Sequence, residues 1–145
     1  MLVVTVKQEV RTVSKPALIG ALIAAADGVL YVVLIRSQGG FQDERGRVFF
    51  VASFVAGLAA VALAGALVPH PAVRIALLAL ATGGLLTLGL LAMLSIGLPL
   101  EIAGVLTTVA WISVWGDGQP SPVKWVAVAM AFVGPATLIA GIALT

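Results

Sequence analysis

Residues 17–35 read ALIGALIAAADGVLYVVLI, a run of 19 residues in which Asp27 is the one charged side chain. An α-helix of this length measures about 28 Å, close to the roughly 30 Å thickness of a bilayer's hydrocarbon core. The stretch therefore predicts a transmembrane helix. It also raises the question of why an acid lies in its middle.

The chain as a whole is also strongly apolar. Of the 145 residues, 61% are hydrophobic and 10% are charged, whereas soluble domains carry about 25% charged residues. A soluble fold of this size could not bury so much apolar surface, so we expect a multi-pass protein of the cell membrane with lipid as its solvent. The net charge of +2 is too small for nucleic-acid binding.

Five hydrophobic segments are separated by short polar connections. Residues 75–115 would form a helix of about 60 Å if they were continuous, which is twice the span required. Gly97 and Pro99 lie near their middle and are typical of a helix end and a helix start. The sequence therefore predicts an all-α bundle over residues 16–145. It has about five transmembrane helices, at residues 16–35, 48–68, 75–95, 99–115 and 125–144, with four helices plus a re-entrant helical pair as the alternative.

Residues 1–15 form a juxtamembrane segment of different character. Val3, Val6, Val10 and Val13 recur at helical spacing among basic and polar residues, which predicts an interfacial amphipathic helix. The valines and threonines also suit a strand, and a solvated tail remains a third interpretation. Five basic residues on the N-terminal side, against three on the other, favour a cytoplasmic N-terminus. The five are Lys7, Arg11, Lys15, Arg74 and Lys124, and the three are Arg36, Arg45 and Arg47.

Asp27 is costly in the first segment but does not prevent its insertion. A central Asp costs about 2.5–3.5 kcal/mol on the insertion scale, while ten Leu, Ile and Val residues return roughly 3–6 kcal/mol. We expect the acid to point into protein, to reach water or to be protonated. Its two interpretations are a proton or cation site and an interhelical hydrogen-bond anchor. Tyr31, at i+4, is a candidate partner for its carboxyl group.

Small residues predict where the helices pack. Gly20, Ala24 and Gly28 form a small-x-x-x-small stripe beside Asp27, which allows close approach of another helix. The second segment offers a matching ridge, so we expect the two segments to pack together with Asp27 in or beside their interface. The ridge consists of Ala52, Ala56, Ala60 and Ala64.

Three further features carry polar groups inside the spans. Glu101 follows Pro99 in the first turn of the fourth segment, where a carboxylate complements the helix dipole, or it forms a second ion site with Asp27. Gly134 and Pro135 predict a kink in the fifth segment, because Pro135 removes the donor to the Ala131 carbonyl. The threonines within the spans are expected to bond their own i−4 carbonyls.

The residues needed for most enzyme chemistry are missing. There is no cysteine and a single histidine, His70, so we expect no metal, no cofactor and no catalytic residues. The first functional hypothesis is an accessory subunit that packs with and stabilises a larger membrane complex. The alternative is a small proton- or cation-linked transporter or channel that acts as a homo-oligomer through Asp27 and Glu101. Membrane lipid, other membrane subunits or a second copy of the chain are the expected partners.

Overall fold

A computed structural model describes residues 13–39, 45–93, 97–115 and 120–144, and these residues form five α-helices without a strand. The predicted all-α fold is therefore confirmed. Most of the predicted N-terminal amphipathic segment lies outside the described residues. The helices are α1 (Lys15–Ser37), α2 (Arg45–Leu67), α3 (Pro71–Leu91), α4 (Gly97–Trp115) and α5 (Ser121–Leu144).

Each helix is long and apolar enough to cross a bilayer. The five contain 19–24 residues, which corresponds to about 29–36 Å. The helices α3 and α4 are separate and of full length, so the described residues match five complete helices better than a re-entrant pair. The helix α3 begins at Pro71, four residues before the predicted start, because proline fits the first turn of a helix, where its missing N–H has no partner to lose.

Four helices form a closed ring and the fifth lies outside it. The helix α1 contacts α2 and α4, and α3 also contacts α2 and α4, so α1 to α4 enclose a common core. The helix α5 packs mainly on α3 from outside the ring, with a minor contact to α2. Neighbours within the ring are antiparallel, so α1, α3 and α5 begin at one end of the bundle, the Lys15 end, and finish at the other, the Ser37 end.

The outer surface of the bundle is apolar. Large hydrophobic side chains such as Leu22, Val29 and Phe132 are each more than 60% exposed. Trp115 ends α4 and Trp125 lies in the first turns of α5, so both are at the Lys15 end, where Lys124 Nζ lies 5.9 Å from the Trp115 ring centroid. Tryptophan rings are typical of the interface between lipid and water, and these two lie at the same end of the bundle.

Pro135 and the glycines of α3 fit together. The helix α5 continues through Pro135, which leaves the Ala131 carbonyl without its usual donor. A Cβ atom at Gly83 would overlap that carbonyl oxygen, so the oxygen faces α3 at a point that carries no side chain. At the next turn, a Cβ atom at Gly134 would lie 2.8 Å from the Cα of Gly84. The two backbones therefore touch, and a side chain at Gly83, Gly84 or Gly134 would disrupt the contact.

The threonines behave largely as predicted. Thr87 donates to the Gly83 carbonyl and Thr137 to the Val133 carbonyl, each at 2.8 Å, which confirms the i−4 bonding. The exception is Thr82 of α3, whose hydroxyl donates to Thr107 Oγ1 of α4 at 3.2 Å inside the ring. Thr107 in turn donates to the carbonyls of its own helix. This buried pair joins α3 to α4.

Candidate functional site

Asp27 is buried within the bundle without a hydrogen bond. Its side chain is 3% exposed, and neither carboxyl oxygen has a hydrogen-bond partner. The acid therefore points into protein rather than lipid, as one of the sequence-based expectations required. The bond to Tyr31 considered from the sequence is not made. The interpretation as a hydrogen-bond anchor therefore has no bond to support it among the residues that the structure describes.

The helical register places Asp27 on the side of α1 that faces α4. A Cβ atom at Gly20 would lie 3.0 Å from the Ala103 carbonyl oxygen of α4, and Asp27 follows two turns later on nearly the same side of α1. Since α1 and α4 are antiparallel and Gly20 lies opposite residues 103–107, this register puts Asp27 opposite the first turn of α4, which contains Leu100. Leu100 and Ala103 belong with Ala24 to one buried cluster, which extends this contact toward the Ser37 end.

The sequence predicts Asp27 in or beside the interface of α1 with α2, whereas the register favours the side of α1 that faces α4. The physical reason is the twist of the small-residue stripe. Residues four apart on a helix are offset by about 40°, so Gly20, Ala24 and Gly28 turn through about 80°. Gly20 consequently faces α4 and Ala24 faces the core. Gly28 faces α2, where a Cβ atom built on the glycine would lie 3.1 Å from Val55 Cγ1.

A small cavity lies one helical turn beyond Asp27 at the Ser37 end. Its volume is about 190 Å³, and its lining comes from all four helices of the ring. Tyr31 contributes from α1 and lies about 6 Å along the helix axis from Asp27. The other lining residues are Val51, Val55, Leu88, Leu91, Ala92 and Leu100.

The unequal lengths of α1 and α4 create space for this cavity. The helix α1 continues ten residues beyond Asp27, to Ser37, which is about 15 Å. The helix α4 begins at Gly97, about 4.5 Å beyond the level of Leu100. The last turns of α1 therefore have no α4 residue opposite them within the described ranges.

Glu101 lies near the depth of Asp27 but on another side of α4. It is partly buried against α3, where a Cβ atom at Gly89 would lie 3.0 Å from Glu101 Cγ. Asp27 approaches α4 from α1, and no hydrogen bond joins the two acids. The structure therefore brings Asp27 and Tyr31 to one region and leaves Glu101 at a different helix interface.

A second and larger space is a groove between α1 and α2 on the outer surface of the ring. Its volume is about 680 Å³. Along α1 it runs from Ala21 to Arg36, which is about 22 Å. Eight of its fifteen lining residues are alanine or glycine, so only small side chains project from its floor. These eight are Ala21, Ala24, Ala25, Gly28, Ala52, Ala56, Ala59 and Ala60.

The predicted alanine ridge of α2 forms one wall of this groove. Ala52, Ala56 and Ala60 line it, and Ala56 and Ala60 are exposed rather than covered by α1. The fourth member, Ala64, is partly buried. The packing of α1 on α2 uses Val55 instead, next to Gly28. The ridge is thus a surface of the ring and not the interface that the sequence predicted.

Sequence reasoning missed three features of this region: the cavity beside Tyr31, the Thr82–Thr107 pair and the fit of Gly83 to Ala131. The last left a signal, because a proline at 135 frees one carbonyl and the paired glycines at 83 and 84 offer a surface for it. The other two depend on how the helices are rotated against each other, which apolar segments do not specify.

No metal site is formed by the described part of the chain, where no three His, Cys, Asp or Glu side chains come together. No protein-family model matches the chain, and neither a curated protein nor a solved structure is significantly similar to it. The buried acid and the alanine-lined groove are therefore the features from which a function must be inferred.

Proposed function

We propose that the chain is a multi-pass integral membrane protein, with its N-terminus on the cytoplasmic side, that serves as an accessory subunit of a larger membrane complex. Five helices of spanning length and the apolar outer surface support the membrane assignment. The bias of basic residues toward the N-terminal side supports the orientation.

The groove between α1 and α2 is the observation that carries the subunit proposal. Helices in membranes associate through small residues that let their backbones approach closely, because lipid already solvates large apolar side chains. The groove has such a floor. Its rim on α1 carries the larger Leu22, Val29 and Val33, each more than half exposed, and its rim on α2 carries Leu63, which is 40% exposed. A ridge of side chains on a partner's transmembrane helix fits between these two rims.

Gly57 is a further small residue of α2, outside the lining of the groove. It is exposed, and no atom outside its own helix segment lies within 4 Å of a Cβ built there. Gly in a helix costs about 1 kcal/mol relative to Ala. Within the described part of this chain no close contact requires a glycine at position 57. A glycine at such a position is expected where a helix of another protein covers it.

Purification from the native membrane in mild detergent tests the proposal. The parent chain is expected to bring down a second membrane protein in a fixed ratio. Ala56→Leu and Ala60→Leu fill the groove and should remove that protein while the chain itself stays folded, because both positions are exposed.

Ala140→Leu is the matched control, since it makes the same change at an exposed position of α5. It should leave the partner bound. A single Cys at residue 56, in a chain that has no other Cys, should form a crosslink to that same partner. A monodisperse monomer, or a partner retained by the groove variants, would contradict the proposal. Crosslinks only between copies of this chain would replace it with self-association.

A second proposal is a proton- or cation-linked transporter or channel formed by several copies of the chain. Its support is Asp27, which is buried without a hydrogen bond. Such an acid is costly within a membrane and is therefore a candidate functional site. Two observations give it less support than the first proposal. Glu101 faces α3 and not Asp27, and neither the groove nor the cavity runs the length of the bundle. Flux into liposomes, measured for the parent and for Asp27→Asn, tests it directly.

A further inference from the structure

We propose that Asp27 carries a proton and exchanges it with water from one end of the bundle only, through the Tyr31-lined cavity at the Ser37 end. This proton site is independent of the subunit proposal. It concerns the same acid as the transport proposal but requires no passage across the membrane.

The absence of any compensating group favours the protonated acid. An ionised carboxylate that is buried without a hydrogen bond or a counter-charge is far more costly than a neutral one. The start of α4 lies near Asp27, and a helix N-terminus stabilises an anion by about 0.3–1 kcal/mol, or about 2 kcal/mol at most. That is too little to replace the hydration of the anion.

The helices around Asp27 bring no cation to it. Within α1 the nearest ionisable group is Tyr31, and on α4 it is Glu101, which is turned toward α3. The helix α2 has its basic residues at its first turn, and the one basic residue of α3, Arg74, belongs to the Lys15 end. Between these ends, α2 and α3 contribute no charged side chain.

A proton suits the site better than a metal ion. Cations such as Ca²⁺ take about six to eight oxygen ligands in proteins, and Mg²⁺ requires near-octahedral coordination. Asp27 offers two oxygens, and the described residues contain no cluster of acids around it. A single carboxyl group is sufficient to hold a proton.

The access is one-sided because the helices pack closely between Asp27 and the Lys15 end, whereas a cavity lies between Asp27 and the Ser37 end. Toward the Lys15 end, the core is filled by Ala24 and Ala103, and then by the Thr82–Thr107 pair, where Thr107 is fully buried. Toward the Ser37 end, α4 begins at Gly97, close to the level of the acid. The cavity there is lined by Tyr31, one turn beyond Asp27, and Asp27 itself is not among its lining residues. The proposed route therefore passes from this cavity along one turn of α1 to the acid.

Two neighbouring leucines at the end of α3 allow a matched test. Leu91 lines the cavity and is 62% exposed, whereas Leu90 does not line it and is 66% exposed. Each is replaced in turn by Cys in the cysteine-free chain, and the thiol is labelled with a bulky maleimide. The reagent then blocks the cavity in Leu91→Cys, while it lies outside the cavity in Leu90→Cys.

The measurement is infrared spectroscopy of the full chain in lipid nanodiscs, transferred from H₂O to D₂O. The parent should show the carbonyl band of a protonated carboxyl group, and this band should shift as the proton is exchanged for deuterium. Asp27→Asn should remove the band and Glu101→Gln should keep it. If Asp27→Asn does not fold, Asp27→Glu identifies the band by moving it.

Labelled Leu91→Cys should exchange about tenfold more slowly than labelled Leu90→Cys, or slower still, which corresponds to an added barrier of about 1.4 kcal/mol. Equal rates in the two labelled variants would overturn the cavity route. The absence of a protonated Asp27 band, or a band that never exchanges in the parent, would overturn the site itself. Liposome flux is a separate measurement, so its absence would remove transport and leave the proton site standing.

Discussion

The carbonyl oxygen of Ala131 lies against Gly83, with no side chain between α5 and α3 at this contact. Pro135 frees the oxygen from its own helix, and the glycine provides the surface that receives it. We therefore predict that Gly83→Ala lowers the free energy of unfolding by about 1–3 kcal/mol, the usual cost of overpacking. Unfolding in mixed detergent micelles measures this change.

Gly57→Ala is the control for Gly83→Ala, because both replace a helical glycine by alanine. A Cβ atom at Gly57 meets nothing within 4 Å, so this variant should be as stable as the parent or gain up to about 1 kcal/mol from its better helix propensity. If the two variants changed stability equally, the close contact of α5 with α3 at Gly83 would be refuted.

Asp27→Asn is predicted to leave stability unchanged within about 0.5 kcal/mol or to raise it. The reason is that the carboxyl group makes no hydrogen bond that the amide would lose. If Asp27 were an interhelical hydrogen-bond anchor, the substitution would lower the free energy of unfolding by the contribution of one such bond in a membrane. That contribution is about 0.6 kcal/mol on average and about 1.7 kcal/mol at most. The same unfolding assay decides between the two, and a loss in that range would restore the anchoring interpretation.

The Thr82–Thr107 pair should show a measurable coupling. In a double-mutant cycle with Thr82→Val and Thr107→Val, we expect a coupling energy of about 0.6 kcal/mol that stabilises the parent. Thr82 loses its bond to Thr107 in either single variant. Thr82→Val paired with Thr137→Val is the control, since Thr137 bonds only to the Val133 carbonyl of its own helix. Strict additivity in the first cycle would show that the 3.2 Å contact contributes nothing.

Gly20→Leu should separate α1 from α4, because even a Cβ atom at this position would lie 3.0 Å from the Ala103 carbonyl oxygen. We predict a loss of about 1–3 kcal/mol of stability. Opening this contact also weakens the cover over Asp27, so Asp27→Asn should recover part of the loss. Ala25→Leu, at an exposed groove position of α1, should be tolerated. If Asp27→Asn made Gly20→Leu worse, α4 would not be the helix that covers the acid.

The number and type of helices followed from hydropathy alone, because a segment of about 20 apolar residues between polar connections has few alternatives in lipid. The boundaries were less accurate. Arg45 and Pro71 begin helices several residues before the predicted starts, because charged and proline residues are tolerated in a first turn.

The packing of Asp27 could not be predicted in the same way. Its burial followed from the cost of an acid in hydrocarbon, but the helix that covers it depends on the rotation of α1. The four-residue spacing from Gly20 to Gly28 predicts one face, whereas the twist of the stripe divides it between α4 and α2. The alanine ridge of α2 was likewise assigned to α1, although Val55 makes that contact and Ala56 remains exposed.

The order of the helices along the chain has a consequence for biosynthesis. Asp27 emerges from the ribosome with α1, whereas the Leu100 turn that shields it is made about 70 residues later, which takes roughly 4–14 s at 5–20 residues per second. During this interval the nascent helix must hold a mid-span acid without its final neighbour. The leucine, isoleucine and valine side chains of α1 therefore have to offset the cost of the acid by themselves until α4 arrives.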